Sequence, residues 1–587
     1  MTTVPEPADV LLVGNCSGFY GDRLSAMREM LEGGPLDVLT GDYLAELTML
    51  ILGRDTMKDP ALGYARTHLR QLEDCLGLAL ERGVRIVSNA GGLNPAGLAE
   101  RVRDVARGLG LDVAVAHVEG DDLRDRAGEL GIEGALTANA YLGGLGVAAA
   151  LREGAQVVVA GRVTDASLVV GPAVAHHGWA PDDHDALAGA VVAGHVLECG
   201  TQATGGNFSG FTRLPAGALD RPLGFPLAEI AADGSCVVTK HPGTGGAVTV
   251  DTVTAQLVYE IQTARYLGPD VTSHLDSVRL EPAGPDRVAV RGVRGSAPPP
   301  RLKVCVNTLG GHRNRVELVL TGLDVEAKAD WVRARVEPRL TAASVTWERT
   351  AVARAGGETE EAASCLLRVT ARDADADPVG KAFTEPFVEL ALASYPGFTL
   401  TAPPARPTPY GVYRAAHVDR AEVTQTVVHA DGRREVVPDP PTSEHAAPTP
   451  PAPPAPSGAT SATDGSTRDL PLGTFVHARS GDKGGDANLG LWVAHDLGAD
   501  PGLHAARVAW LTAFVTPDAV RDLLPEARDL PADTVEVHPL PHLGAVNVLL
   551  RGLLGEGVAA STRFDPQAKG LGEWARSRVV PVPEALL

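Results

Sequence analysis

The chain has 587 residues, more than one hydrophobic core usually serves, so two to four domains are expected. Its net charge of −21 argues against nonspecific binding to nucleic acid and to anionic membrane surfaces. The six cysteines form no C-x-x-C pair, and no stretch has the pattern of a signal peptide or of a membrane-spanning helix. These features predict a reduced, cytoplasmic protein without a membrane partner.

The N-terminal stretch predicts strands that run into polar loops. Val10–Val13 is a short apolar strand followed by a glycine-rich loop, which lacks the G-x-G-x-x-G and Walker patterns of nucleotide sites. Leu36–Leu39 is the next strand, and Asp42 and Glu46 follow it. If these two residues lie in the first turn of a helix, they project to one side as an acid/base pair or as ligands of a hard metal. Alternatively, their negative charges interact favourably with the positive, N-terminal end of the helix dipole.

The next strand, Val84–Ser88, also ends in a polar loop. Asn89 and Asn94 bracket Gly91 and Gly92 in the segment that follows it. Amide side chains in such a loop can bind carbonyl and hydroxyl groups, and glycine lets a ligand approach the backbone. Asparagine in turn conformations is the alternative interpretation.

The central strand is predicted at Gln156–Ala160, where a run of apolar residues suits a strand covered on both faces. Its loop presents a cation, a carboxylate and a hydroxyl at Arg162, Asp165 and Ser167. Ligands of α/β sheets bind beyond the carboxyl ends of such strands. We therefore place the floor of a cleft here, with Arg162 as an exposed loop residue whose replacement by alanine changes stability little.

The succession of strand, loop and helix predicts an α/β domain with a mostly parallel sheet over residues 1–223. An open sheet and a barrel remain alternatives, because both place these loops at one end. Leu136–Tyr141 is predicted as a helix of small residues that carries Asn139.

A polar segment follows the predicted helix Leu187–Leu197. It includes Gln202 and Asn207, two further candidates for binding a substrate. Cys199 is either a nucleophile or a small core residue, and His195 is its one local histidine partner. The histidines at 176, 177 and 184 lack zinc-site spacing, so no metal ligands are predicted.

Residues 224–437 predict an α+β continuation of the large part, because their strands are short and often alternate. Ala247–Val250 is one of these predicted strands. Residues 438–469 are rich in proline, alanine, serine and threonine, which predicts a disordered linker. Residues 470–587 are long enough to fold as a separate domain.

The last domain contains the glycine-rich stretch Ser480–Asn488. Asp482 and Lys483 lie in this stretch, which predicts a tight anion-binding turn. A charged surface loop is the alternative. We expect the stretch to dock on the large part, or on that of a neighbouring subunit, and to complete the site.

Long motifs in these loops resemble the acyclic terpene utilisation protein family. They are GFYGDR at 18–23, GDYLAELTM at 41–49, SNAGGLNP at 88–95, NAYLG at 139–143, GRVTDASL at 161–168 and ECGTQATGGNF at 198–208. RSGDKGGDANLG at 479–490 and GVAASTRFDPQAKGLGE at 557–573 resemble the C-terminal ferredoxin-fold-like domain of the family. The resemblance implies a small ferredoxin-like α+β fold for residues 470–587.

The resemblance also implies a role near acyl-CoA catabolism. The family is named after a gene cluster for citronellol and geraniol breakdown, which proceeds through branched acyl-CoA thioesters, but the resemblance supplies no agreed catalytic residues. We interpret the chain as a lyase or hydratase that moves a proton next to the thioester carbonyl. Such a reaction needs a base and donors for the developing oxyanion.

Asp165 is the predicted base, with Asp42 and Glu46 as alternates. The predicted donors are Arg162, Asn89, Asn139 and Asn207. Coenzyme A enters as part of the substrate, no cofactor is expected, and a homo-oligomer is expected. Two other functions remain: a thioester hydrolase with Ser167 or Cys199 as nucleophile, and a noncatalytic acyl-CoA-binding or scaffold subunit.

Overall fold

A computed structural model gives the structure of the protein and describes residues 10–350, 352–354, 356–444, 466–495 and 500–587. The chain divides into two compact units. The first contains Met1–Val306, Arg414–Leu554 and Gln567–Leu587, and the second contains Asn307–Tyr413 and Gly555–Pro566. The predicted boundary between residues 223 and 224 therefore lies inside the first unit. Residues 445–465 of the predicted linker lie outside the described residues.

The helices and strands are numbered in chain order. The helices are α1 (Ala26–Gly33), α2 (Glu46–Lys58), α3 (Arg66–Glu81), α4 (Pro95–Leu109), α5 (Leu145–Arg152), α6 (Ser167–His177), α7 (His184–Leu197), α8 (Val250–Glu260), α9 (Val325–Val336), α10 (Lys381–Val388), α11 (Pro501–Phe514), α12 (Pro517–Leu523) and α13 (Leu571–Ser577). The strands are β1 (Leu11–Asn15), β2 (Val38–Gly41), β3 (Arg85–Ser88), β4 (Val115–Glu119), β5 (Thr137–Ala140), β6 (Val157–Ala160), β7 (Pro226–Ile230), β8 (Cys236–Lys240), β9 (Arg265–Leu267), β10 (Thr272–His274), β11 (Arg279–Gly284), β12 (Arg287–Arg291), β13 (Arg294–Ser296), β14 (Arg301–Thr321), β15 (Ser344–Thr350), β16 (Ser364–Asp373), β17 (Thr399–Leu400), β18 (Thr408–Asp419), β19 (Thr426–Val428), β20 (Arg434–Val436), β21 (Thr467–Pro471), β22 (Val476–Lys483), β23 (Asp486–Val493), β24 (Val535–Leu540), β25 (Ala545–Leu550) and β26 (Val579–Pro583).

An open eleven-stranded sheet lies at the centre of the first unit, in the order β11-β12-β8-β7-β1-β2-β3-β6-β4-β19-β20. The strands β1, β2, β3, β6 and β4 are parallel to one another. Antiparallel strands extend the sheet on both sides, beginning with β7 beside β1 and β19 beside β4. The α/β prediction is confirmed, and the sheet is open rather than a barrel.

The two faces of this sheet are covered by different helices. Apolar side chains of α1, α3 and α4 form the core on one face. Those of α5, α6 and α7 form the core on the other face. The connection after β3 therefore leads to one face and the connection after β6 leads to the opposite face, although the two strands are neighbours. Such a change of side opens a crevice at the carboxyl ends of the two strands, where α/β proteins bind ligands.

Two predicted elements are wrong. Leu136–Tyr141 is not a helix, because Thr137–Ala140 forms β5. Ala247–Val250 is not a strand but leads into helix α8, whose start is fixed by a capping box between Thr249 and Thr252. The many β-branched residues of α8 explain the error, because valine and threonine favour strands when packing does not decide.

The C-terminal part of the first unit has a four-stranded antiparallel sheet in the order β22-β23-β25-β24. Helices α11, α12 and α13 contribute to its apolar core. Strand β21 pairs with β26 over Thr467–Pro471, so this strand spans the predicted boundary at residue 470. The second unit has its own sheet and core, in which β16 and β14 pair over ten residues and Phe383 and Phe387 of α10 are buried. No helix in the described part of the chain is long and apolar enough to cross a membrane.

Candidate active site

The loop after β6 carries a buried cation at the crevice between β3 and β6. The side chain of Arg162 is 1% exposed, and its Nη1 lies 2.7 Å from Asp165 Oδ1. The guanidinium also lies over the ring of Tyr141, 4.4 Å from the ring centroid. The prediction of an exposed Arg162 is therefore wrong, because neighbouring segments cover the loop. Asp165, whose side chain is 30% exposed, is the accessible member of the pair.

Asp42 lies in the loop after β2, ahead of helix α2. Its carboxylate accepts hydrogen bonds from Asn89 Nδ2 (2.5 Å) and from the Leu44 amide (3.1 Å). Helix α2 begins at Glu46, so the two acids do not share a helical turn as predicted. Burial raises the pKa of Asp42 well above its usual value, and the nearby charge of Asp165 raises it further.

Glu46 is a carboxylate with the opposite pKa shift. Its Oε1 accepts a hydrogen bond from Tyr141 Oη at 2.9 Å and lies 3.8 Å from Lys303 Nζ. Burial opposes ionisation, but Lys303 and Arg162 outweigh it and lower the pKa of Glu46 to about 2. Burial raises the pKa of Asp165, against the opposing charge of Arg162. Arg162 thus interacts with three carboxyl groups whose pKa values are shifted in different directions: those of Asp42 and Asp165 are raised, and that of Glu46 is lowered.

A second buried carboxyl group, Asp121, holds the loop from behind. Its Oδ2 accepts hydrogen bonds from the Arg162 amide and from Asn139 Nδ2, both at 2.8 Å. Asn139 therefore supports the loop through Asp121. Burial raises the pKa of Asp121 to about 7.

The stability of the protein should depend on pH through Asp121. The folded carboxyl keeps its proton up to about pH 7, whereas in the unfolded chain the carboxyl has its ordinary pKa of 3.8. This group therefore favours folding at low pH, and its contribution falls as the pH rises from about 4 to 7. Between pH 5 and 7 the free energy of unfolding of the wild type, measured relative to that of Asp121→Asn, should fall by about 2–3 kcal/mol. Urea unfolding at several pH values measures this, and parallel profiles would contradict it.

A second group of polar side chains follows helices α7 and α8. Cys199 Sγ donates to Glu260 Oε1 at 3.0 Å, and Lys483 Nζ donates to Glu260 Oε2 at 3.2 Å. Glu198 is buried beside His195. Burial raises the pKa of Glu198 well above its usual value, and the charges of Glu260, Asp165 and Asp42 raise it further.

The stretch Ser480–Asn488 docks on helix α8, as predicted, and forms a β-hairpin. Strands β22 and β23 continue to Lys483 and Asp486, which leaves a two-residue glycine turn. A side chain at Gly481 would meet the ring of Tyr259 at 2.2 Å, and one at Gly490 would meet Val258 at 2.5 Å. These glycines let the sheet lie directly against the helix.

Two asparagines of this sheet bind the end of α8. Asn488 Nδ2 donates to the carbonyls of Val258 (2.7 Å) and Tyr259 (3.0 Å). Asn547 Nδ2 donates to the carbonyls of Ile261 (2.9 Å) and Gln262 (2.8 Å). Both side chains are fully buried. Asn488 acts as a cap, because the last carbonyls of a helix have no partner within it. Asn547 binds the two carbonyls that directly follow the helix.

Asn488→Ala should therefore lower the free energy of unfolding by about 1–3 kcal/mol, because it leaves buried carbonyls without a donor. Denaturant unfolding of the full chain measures the change. Asn207→Gly is the matched control, since Asn207 is an exposed amide with a φ of 56° that glycine also adopts. Equal effects of the two substitutions would contradict the capping role.

Two family models match the chain. The model described as acyclic terpene utilisation family protein AtuA matches residues 11–429, and that of the AtuA ferredoxin-like domain matches residues 470–581. The chain belongs to the acyclic terpene utilisation family. The predicted ferredoxin-like C-terminal domain is confirmed. No curated protein matches the chain.

Several residues of the family motifs have structural contacts. Asn94 caps α4 by accepting from the Gly97 amide at 2.9 Å. A side chain at Gly91 would meet the Ala160 carbonyl at 2.5 Å, and one at Gly92 would meet the Gly63 carbonyl at 2.7 Å. These close contacts are with protein backbone. They account for the motif SNAGGLNP as a packed connection between β3 and α4.

The other predicted binding residues do not all lie together, because Gln202 and Asp482 adjoin the cations Arg479 and Lys569 whereas Ser167 binds Asp270. Ser167 Oγ donates to Asp270 Oδ2 at 3.1 Å and is buried. Gln202 accepts a hydrogen bond from Arg479, and Asp482 lies 3.7 Å from Lys569. Asn207 is exposed in a turn.

Sequence reasoning missed Glu198, Glu260, Tyr141 and Lys303 as members of the centre. Glu198 was visible as part of H-x-x-E-C at 195–199, where His195 and Glu198 share a face at i, i+3 spacing. Glu260 was missed because α8 was not predicted. Tyr141 and Lys303 become neighbours because the Tyr141 amide bonds to the Lys303 carbonyl at 2.9 Å, a contact without a local signal.

Proposed function

We propose that the protein catalyses proton transfer next to the thioester carbonyl of a branched, acyclic terpenoid acyl-CoA, as a lyase or hydratase. The observation that carries the proposal is the arrangement around Arg162. Asp42 and Asp165 have raised pKa values, Glu46 has a lowered one, and all three interact with the same guanidinium. Carboxyl groups with separated pKa values beside one cation suit acid and base roles.

In this proposal Asp165 is the base, because it is the most accessible acid bound to Arg162. Abstraction of a proton next to a thioester places negative charge on the carbonyl oxygen, which a nearby cation stabilises. Asp42, whose pKa burial raises well above its usual value, is the acid that protonates the leaving group of the elimination. The proton taken by Asp165 is returned by Asp165 in the reverse reaction. Asn89 is a positioning residue, since its amide contacts Asp42 and the Tyr43 backbone.

Positive charge near Tyr259 supports a phosphate-bearing substrate. The cationic atoms of Arg479, Lys483 and Lys569 lie 4.4–4.6 Å from the centroid of the Tyr259 ring. The whole chain is acidic, so three cations around one ring are a local exception that would attract an anionic substrate.

The hydrolase alternative has weaker support. Burial and the charge of Glu260 raise the pKa of the Cys199 thiol well above its usual value, which disfavours the nucleophilic thiolate. Ser167 donates its hydroxyl to Asp270, whose Oδ2 also accepts from the Gly144 amide at 2.8 Å. This serine is thus bound as part of the fold.

Deuterium exchange tests the proposal. The full-length protein is incubated in D₂O with the coenzyme A thioesters of citronellic and geranic acids, and with a straight-chain thioester as control. We expect deuterium at a carbon next to, or conjugated with, the branched thioester carbonyl. Release of free coenzyme A without exchange would support the hydrolase, and binding without exchange or turnover would support the noncatalytic subunit.

A further inference from the structure

Three side chains of metal-binding type meet where α7 and α8 end. Glu198 and Cys199 directly follow α7, and Glu260 is the last residue of α8. One ligand atom from each lies within 4.8 Å of the other two. Among the described residues, this is the one group of three or more such side chains with that spacing. Ligand atoms around a tetrahedral zinc ion, with bonds of about 2.0–2.3 Å, lie about 3–4 Å apart, so the group needs little movement to hold one.

The same place contains buried polar atoms without partners. The side chain of Glu198 is 5% exposed, and its Oε2 makes no hydrogen bond to any described residue. His195, whose side chain is 4% exposed, lies beside it with Nδ1 3.5 Å from Glu198 Oε1. Neither ring nitrogen of His195 forms a hydrogen bond within the described chain. Buried polar groups normally have partners, so these atoms point to a ligand.

The charges also favour a dication. Two carboxylates and a thiolate would bring three negative charges, and Lys483 contributes one positive charge at Glu260. A divalent ion would bring this buried set to neutrality, which removes the cost of unpaired charge in a buried site.

We propose that Glu198, Cys199 and Glu260 bind one zinc ion. A thiolate with two carboxylates suits zinc better than magnesium or calcium, which prefer oxygen alone. Three protein ligands leave a fourth position for water or for a substrate oxygen, as in catalytic zinc sites. The sequence predicted no metal ligands because the site depends on the unpredicted helix α8.

The ion would lie within electrostatic reach of Asp165, on whose carboxyl group the charge of Glu260 acts. Zinc in such a place polarises a bound carbonyl or lowers the pKa of a bound water. The inference does not rest on the proposed acyl-CoA chemistry, because metal binding is measured without turnover.

Cobalt substitution tests the site on the full-length wild type. The protein is stripped with a chelator, titrated with Zn²⁺ or Co²⁺, desalted, and analysed for metal content. We expect one equivalent of either metal, a higher melting temperature, and a thiolate-to-cobalt charge-transfer band in the cobalt form. Binding of less than a tenth of an equivalent of metal per chain, or a cobalt spectrum without that band, would overturn the proposal. This test uses the wild type alone and does not depend on whether any variant folds.

Variants then assign the ligands. Cys199→Ser should abolish the charge-transfer band, and Glu198→Gln and Glu260→Gln should weaken metal binding at least tenfold. Cys236→Ser is the matched control, since Cys236 is a buried thiol on β8 outside the group. Loss of the band in the control, or an unchanged band in Cys199→Ser, would place the metal elsewhere and overturn the assignment.

Discussion

Arg162→Ala is expected to lower the free energy of unfolding by about 3–5 kcal/mol, the usual cost of removing one partner of a buried ion pair. The guanidinium is 1% exposed and compensates the charges of Asp165 and Glu46. Its removal leaves those acids without their shared cation and leaves space beside Tyr141. Urea unfolding at pH 7 measures the effect.

Two further variants separate charge from packing. Arg162→Met keeps most of the side-chain volume but not the charge, and Arg162→Lys keeps the charge but not the planar contact with Tyr141. Both should lose less stability than the alanine variant. Arg101→Ala, which removes an exposed cation paired with Asp104, should cost less than 1 kcal/mol. An equally small loss for Arg162→Ala would refute the central role given to this side chain.

Asp165→Asn should reduce deuterium exchange into the branched acyl-CoA by about 10²–10⁴-fold, the usual contribution of a general base. The substitution removes the basic oxygen, yet the amide oxygen still accepts from Arg162, and the partly exposed side chain limits the effect on folding. Single-turnover exchange, followed by mass spectrometry, measures the rate.

The control for this experiment is Ser167→Ala, which removes a hydroxyl group two positions after Asp165 in the chain. Its hydrogen bond to Asp270 is structural, so exchange should change less than tenfold. If Ser167→Ala abolishes activity while Asp165→Asn does not, the serine rather than the carboxylate carries the reaction, and the hydrolase is the better interpretation.

The central parallel strands were predictable from the sequence because their signals are local. Each combines an apolar run with a polar, glycine-bearing loop, and the loops mark the carboxyl end of the sheet. Arg162 and Asp165 were found in this way. The flanking strands β19 and β20 are not predictable in this way, because β19 joins β4 from about three hundred positions later in the chain and β20 pairs with β19.

The chemistry around those loops was predicted less well, for two physical reasons. Burial of Arg162 depends on segments distant in sequence, including the Tyr141 ring, so the sequence alone predicts an exposed loop residue. Helix α8 depends on tertiary packing that overrides the strand preference of its β-branched residues. Glu260 could not be assigned to the centre without that helix.

The caps on α8 also set an order of events during translation. The carbonyl groups of Val258 and Ile261 receive their amides from residues 230 and 286 positions later in the chain. At about 5–20 residues per second, a ribosome needs roughly 10 to 60 s to deliver both amides. For that interval the emerging chain carries a helix end that only water or a chaperone can satisfy. A chain terminated before residue 488 would keep this unsatisfied end permanently, and it would give quality-control proteases a way to distinguish incomplete molecules from finished ones.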